Sequence, residues 1–250
     1  MNHAHKQQRG FTIIELTLAM TFISFLLLGI ALTVIQIGAI YNKGTTSKEI
    51  NQASRTINIE LDRDISTASS LNLTTDYVQA PLTGAAAGGR LCLGSYSYIW
   101  NFARAIEAGS ANVTKYLSPP DSTKDSIVRL VKVADPSKVY CAKNPVNPAA
   151  LANPNIRVAD TAIVQELLSN GDHEIGLHNF AFITPVPASS VDTSTGQQIF
   201  SLTYTIGTAK ISALNATQTL CLAAGVPNAD PLYCNVQQFS LVVRAGNGVN

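Results

Sequence analysis

Few side chains in this sequence are grouped in a way that could do chemistry. Glu15 is the only ionisable residue between Phe11 and Ile40, a run otherwise of apolar and small uncharged side chains. A carboxylate is costly inside such a run unless it meets a cation or a set of donors. Glu15 therefore either reaches the polar boundary about one turn away or has a dedicated partner. Asp172-His173-Glu174, with His178 beyond, is the one local grouping of metal-binding residue types; beside Gly171 it reads as a polar turn. Asp121 and Asp125 follow Pro119-Pro120 but lack the spacing and the glycine of a calcium loop. Asp62 and Asp64, two apart on a helix, do not share a face and read as solvated surface. Tyr96, Tyr98 and Trp100 alternate as the buried residues of a strand do, and core packing explains them better than an exposed binding strip. No phosphate-loop, zinc-protease or nucleophile-elbow pattern occurs. The sequence offers no catalytic residues, no metal site and no cofactor site, and an enzyme is not expected.

The composition narrows the class. Charged residues are 13% and apolar residues 46% of 250, which fits neither a disordered chain nor a polytopic membrane protein. Net charge is +1, and without the first ten residues 15 basic side chains stand against 16 acidic ones, or −1. General nucleic-acid binding, which needs a concentrated basic surface, is not expected. The four cysteines, Cys92, Cys141, Cys221 and Cys234, all follow the apolar run. An even count on one side of a membrane segment points to disulfides in an oxidising compartment. Four cysteines allow three pairings; the short loop favours Cys221–Cys234, which leaves Cys92–Cys141. Buried free thiols are the alternative.

The element that must position Glu15 is the apolar run itself. Residues 11–40 exceed the ~20 residues needed to cross a bilayer as a helix. Lys6 and Arg9 precede the run, which places the N-terminus in the cytoplasm and the rest outside. A secretory signal peptide would have a shorter apolar core and a small-residue cleavage site after it; a plain single-pass anchor would have no use for Glu15.

The stretch Arg9-Gly10-Phe11-Thr12-Ile13-Ile14-Glu15-Leu16 resembles the processing site of type IV prepilins and pseudopilins. That family has a short basic leader ending in glycine, then phenylalanine, then glutamate at the fifth mature position. The resemblance implies a leader over 1–10, cleavage between Gly10 and Phe11 by a prepilin peptidase, and methylation of the Phe11 amine. It implies that Glu15 pairs with the N-terminal amine of a neighbouring subunit as helices pack into a filament. The partners implied are other pilin subunits, the peptidase, the assembly platform in the membrane, and membrane lipid. The helix-distorting proline that many family members carry in the apolar half is missing here. The length of the chain and Asp62-Arg63-Asp64-Ile65 are loosely similar to minor subunits of the W and J types.

Beyond the membrane segment the helix is expected to continue. Ile50, Ala53, Ile57, Leu61, Ile65 and Ala68 recur at steps of three and four, one buried stripe. Residues 41–70 thus read as an amphipathic continuation, and a helix of about 60 residues would be roughly 90 Å long. Gly44 is the expected bend. Residues 71–250 read as a β-rich extracytoplasmic domain. Strands are expected at Arg90–Trp100, Ser126–Val133, Phe180–Thr184, Gln198–Gly207 and Gln238–Arg244. Asp76–Gly89 reads as a linker, and Thr161–Leu168 as a short helix capped by Asp160 and stopped at Gly171. The fold class is α+β: a long N-terminal helix, half transmembrane and half amphipathic, packed on an antiparallel sheet.

Overall fold

The computed structural model describes residues 12–68, 71–80, 88–102, 127–136, 164–168, 174–183 and 197–245. Helix α1 runs from Ile13 to Thr67, 55 residues, and stays helical through Gly44. The chain divides into a first unit ending at Asn42 and a second from Lys43 onward. In the first unit α1 is apolar on all sides, and its large side chains, among them Leu18, Phe22, Phe25 and Val34, are exposed. It is long and apolar enough to cross a membrane. Its hydroxyls bond back to its own carbonyls: Thr17 to Ile14, Thr21 to Leu18, Ser24 to Met20 and Thr33 to Gly29. Such back-bonding lets a polar side chain sit in an apolar medium at little cost.

In the second unit the expected stripe is buried: Ile50, Ala53, Ile57, Leu61 and Ile65 are all within 3% of complete burial. A short helix α2 (Leu73–Asp76) leads into the strands β1 (Tyr77–Ala80), β2 (Gly88–Leu93), β3 (Tyr96–Phe102), β4 (Val128–Ala134), β5 (Val164–Glu166), β6 (Ile175–Ile183), β7 (Gln198–Thr208) and β8 (Val236–Ala245). They form two antiparallel sheets, ordered β1-β2-β3-β4-β5 and β6-β7-β8. One apolar core joins the α1 stripe to Leu91, Tyr98, Trp100 and Leu130 of the first sheet and to Phe180, Leu202, Tyr204 and Ile206 of the second. The alternation read in β7 holds, with Phe200, Leu202, Tyr204 and Ile206 buried while Ile199 is exposed.

Four expectations are corrected. Asp76–Gly89 is not wholly a linker, because Tyr77–Ala80 is β1 and Gly88 opens β2. Tyr77 anchors this edge: its hydroxyl donates to the Phe180 carbonyl at 2.9 Å, linking the two sheets. Arg90–Trp100 is a hairpin rather than one strand. Leu93 pairs with Tyr96 across Gly94-Ser95, and Gly94 takes φ +57°, the left-handed turn geometry glycine supplies freely. The helix expected at Thr161–Leu168 is absent where it is described, since Val164–Glu166 is β5, paired with Val131–Val133. A segment that short gains little from helix propensity, and the open edge of β4 offers a full ladder. Finally β6 begins at Ile175, five residues before the expected strand. A bulge at His178 shifts its register, so burial passes from Ile175 and Leu177 to Phe180 out of phase with a period of two.

Gly207 marks the tightest approach in the second sheet. A Cβ there would lie 2.7 Å from Val236 Cγ2, 2.9 Å from the Asn235 carbonyl oxygen and 3.0 Å from His178 Nε2. Gly207→Ala is expected to lower the unfolding free energy by about 1–3 kcal/mol. Urea unfolding of the full chain in detergent reads this, and an unchanged midpoint would contradict the close packing.

Candidate functional site

Glu15 lies in the first turn of α1, and the structure gives it a partner in its own chain. Thr12 occupies the N-cap position. Its backbone N–H donates to Glu15 Oε2 at 3.0 Å and its hydroxyl donates to the same oxygen at 2.9 Å. The Glu15 N–H donates back to Thr12 Oγ1 at 3.4 Å. This is a reciprocal capping box, which satisfies helix-terminal donors otherwise orphaned in an apolar medium. Glu15 Oε1 takes no hydrogen bond among the described residues, so one carboxylate oxygen is held and the other is open. The sequence carried this signal as Thr-x-x-Glu ahead of an apolar run, but the reading from residue types gave Thr12 no role. Lys6, Arg9, Gly10 and Phe11 lie outside the described residues.

A second constellation was not foreseen. Asp64, expected on a solvated face, is buried, while Asp62 is exposed as expected. Asp64 follows Leu61 by three positions and so flanks the apolar stripe. Lys132 points from β4 into the same seam, on the face that carries Val128 and Leu130. Its ammonium lies 2.5 Å from Asp64 Oδ2 and 2.9 Å from Glu60 Oε2. The Tyr98 hydroxyl donates to Asp64 Oδ2 at 2.6 Å, and Arg63 Nε lies 3.3 Å from Asp64 Oδ1. Arg63 also pairs with Glu60. The Lys132 ammonium sits 4.1 Å from the Tyr96 ring centroid, a cation–π contact on the more exposed side. Burial raises the pKa of Tyr98, and its bond to Asp64 and the nearby carboxylate charges raise it further, so it remains a phenol donor. The available signals were a lysine at an inward position of an alternating strand and two carboxylates one turn apart beside the stripe. Neither is distinctive without knowing which strand faces α1.

Tyr204 makes a second polar tie across the core. Its hydroxyl donates to Asn58 Oδ1 at 2.7 Å and lies 2.8 Å from Ser54 Oγ, both on α1. Burial pushes its pKa up to about 12. Tyr98 and Trp100 are core residues, as the alternation indicated, whereas Tyr96 is 42% exposed.

The Cys221–Cys234 disulfide is present, closing a separation of 13 residues. Cys92 is also disulfide-bonded; Cys141, its expected partner, lies outside the described residues. So do Asp121, Asp125, Asp172 and His173. Glu174 is exposed, and His178 is buried, with Nε2 3.2 Å from the Thr208 carbonyl and Nδ1 3.1 Å from the Gln218 side-chain amide. No cluster of three or more potential metal ligands forms among the described residues. No protein-family model matches the chain, and neither the curated proteins nor the solved structures contain a match.

Two outcomes are expected. Lys132→Met leaves the two seam carboxylates only the more exposed Arg63 as a cation and should cost about 2–4 kcal/mol. Adding Asp64→Leu should recover part of that loss in a double-mutant cycle; a Lys132→Met cost near zero would show the seam to be hydrated. Burial lowers the pKa of His178 below its ordinary value of 6.5. The unfolded chain therefore binds this proton first, and stability should fall as pH drops below about 6.5. His178→Gln should flatten that part of the pH–stability profile, and an identical slope in the variant would remove His178 as its source.

Proposed function

We propose that the chain is a membrane-anchored structural subunit of a type IV pilus or a related pseudopilus, of the minor class. The observation that carries this reading is Glu15 itself: a carboxylate in the first turn of an apolar helix, with one oxygen held by Thr12 and the other without a hydrogen bond among the described residues. On this reading the leader through Gly10 is removed and the methylated amine of Phe11 on a neighbouring subunit meets the open oxygen. In the low-dielectric packing of helices that charge pair offsets desolvation and fixes the axial step between subunits. Lys6 and Arg9 hold the N-terminus inside, and the disulfide-bonded domain lies on the oxidising side. Other subunits, the prepilin peptidase, the assembly platform and membrane lipid are the partners this implies.

A second reading is an unprocessed, single-pass anchored domain that binds or adheres outside the membrane. The capping box favours it, because Glu15 then needs no partner beyond Thr12.

Mass spectrometry of the N-terminal peptide from native membranes separates the two. A peptide beginning at N-methylated Phe11 is expected. A peptide beginning at Met1, in cells with an active prepilin peptidase, would leave the second reading. Under the first reading Glu15→Val removes a buried charge pair worth about 3–5 kcal/mol, so incorporation into filaments should fall at least about a hundredfold. Equal incorporation would overturn it.

A further inference from the structure

Among the described residues the two sheets have four edges, and three are guarded. β1 and β5 close the first sheet with strands of four and three residues, and β6 closes the second with the bulge at His178. Short strands and bulges keep an edge from pairing with another chain. β8 has neither device. Its ten residues pair with β7 from Gln198↔Ala245 to Gly207↔Val236 without a break in register. It contains no proline and a single charge, Arg244.

The register fixes which way the backbone of β8 points. The Thr208 N–H donates to the Asn235 carbonyl at 2.9 Å, and hydrogen-bonded pairs in an antiparallel ladder recur at every second residue. Alternate residues from Asn235 to Ala245 therefore turn their N–H and C=O groups toward β7. Val236, Gln238, Ser240, Val242 and Arg244 turn theirs away, and these groups have no hydrogen-bond partner among the described residues. The side chains along the edge are incompletely covered too. On the core face Phe239 and Leu241 are only partly buried, although Tyr204 and Leu202, opposite them on β7, are fully buried. On the outer face Val242 is 67% exposed, and Arg244 is exposed with no ion pair among the described residues.

We propose that the free edge of β8 binds an extended segment of a different protein, which joins the three-stranded sheet as a fourth strand. Backbone bonds supply the attraction and alternate side chains the selection. The segment presents apolar side chains beside Phe239 and Leu241 and an acidic one beside Arg244, since opposite charges on facing strands attract. Two copies of β8 paired antiparallel would be related by a two-fold axis normal to the sheet. That axis reverses one copy of the amphipathic half of α1, which packs on the sheet, relative to the other. Copies anchored through α1 in one membrane run in the same direction, so the occupant assigned is another protein. The inference holds for either functional reading, because both keep the anchor and the sheet.

The test uses the full chain in detergent and a fluorescein-labelled peptide, Glu-Val-Thr-Leu-Thr-Val-Thr-amide, read by fluorescence anisotropy. Paired antiparallel, its glutamate falls beside Arg244 and its Val-x-Leu-x-Val row extends that of Phe239 and Leu241. The expected result is saturable binding that weakens at least about tenfold when the first two threonines are N-methylated, because their N–H groups face β8. Arg244→Glu should weaken binding about two- to fivefold, and a peptide with lysine in place of glutamate should recover it. Ser240→Pro removes an outward N–H while leaving the ladder to β7 in place, and should also weaken binding at least about tenfold. The N-methylated peptide needs no variant, so it decides the case even where Ser240→Pro destabilises the domain. No binding, or equal binding of the N-methylated peptide, overturns the proposal. So does a wild-type chain that sediments as a dimer and becomes a monomer in Ser240→Pro, which assigns the edge to a second copy.

Discussion

Lys132 brings an ammonium into the seam between α1 and β4, where only two carboxylates one helical turn apart make it tolerable. The apolar stripe of α1 cannot by itself say where along the sheet the helix should stop. Ala53, Ile57, Leu61 and Ile65 repeat every four residues, so a slide by one turn exchanges one apolar contact for another of similar worth. The charged cluster has no such translational symmetry. Asp64 receives Lys132 and Tyr98 together at 2.5 and 2.6 Å, and a slide by one turn separates these partners in a medium where separation is expensive. The bonds of Tyr204 to Ser54 and Asn58 enforce the same register from the other sheet. Hydrophobic burial thus supplies the bulk of the attraction, and a few buried polar groups choose one arrangement among near-equivalents.

The same helix solves a different problem in its first unit. There every polar group has to find its partner locally. The back-bonded threonines and Ser24 do so one turn away, and the Thr12–Glu15 box closes the otherwise open donors of the first turn. One continuous helix therefore follows two rules, self-sufficiency of polar groups in its apolar half and complementarity to a sheet in its amphipathic half.

How much of this was legible depended on whether a signal was periodic or positional. The stripe from Ile50 to Ile65 and the alternation from Phe200 to Ile206 are periodic, and both are buried as read. The short Cys221–Cys234 loop was legible because closure entropy favours near neighbours. What escaped was set by single residues or by distant pairings. Gly94 and Ser95 divide one apparent strand into a hairpin, and the bulge at His178 hides the first half of β6. The edge strand β5 exists because β4 lies beside it. Asp64 was assigned to solvent because its buried counter-charge, Lys132, is 68 positions away in the chain, and no local pattern connects them. At Glu15 the type of residue and its apolar setting were legible, whereas the grip of Thr12 on one oxygen required the geometry of the first turn.

Trp100 is the only tryptophan in the chain. It is fully buried, with its ring centroid 4.5 Å from that of Phe180 in the other sheet and 6.0 Å from that of Tyr77. The protein therefore contains a single indole fluorophore at the meeting point of its two sheets. Its emission reports on the joining of those layers without a label, and it is blind to the apolar half of α1, which has no indole of its own. Changes in indole emission, excited selectively above the tyrosine band, on detergent exchange or lipid reconstitution can thus be assigned to the folded domain alone.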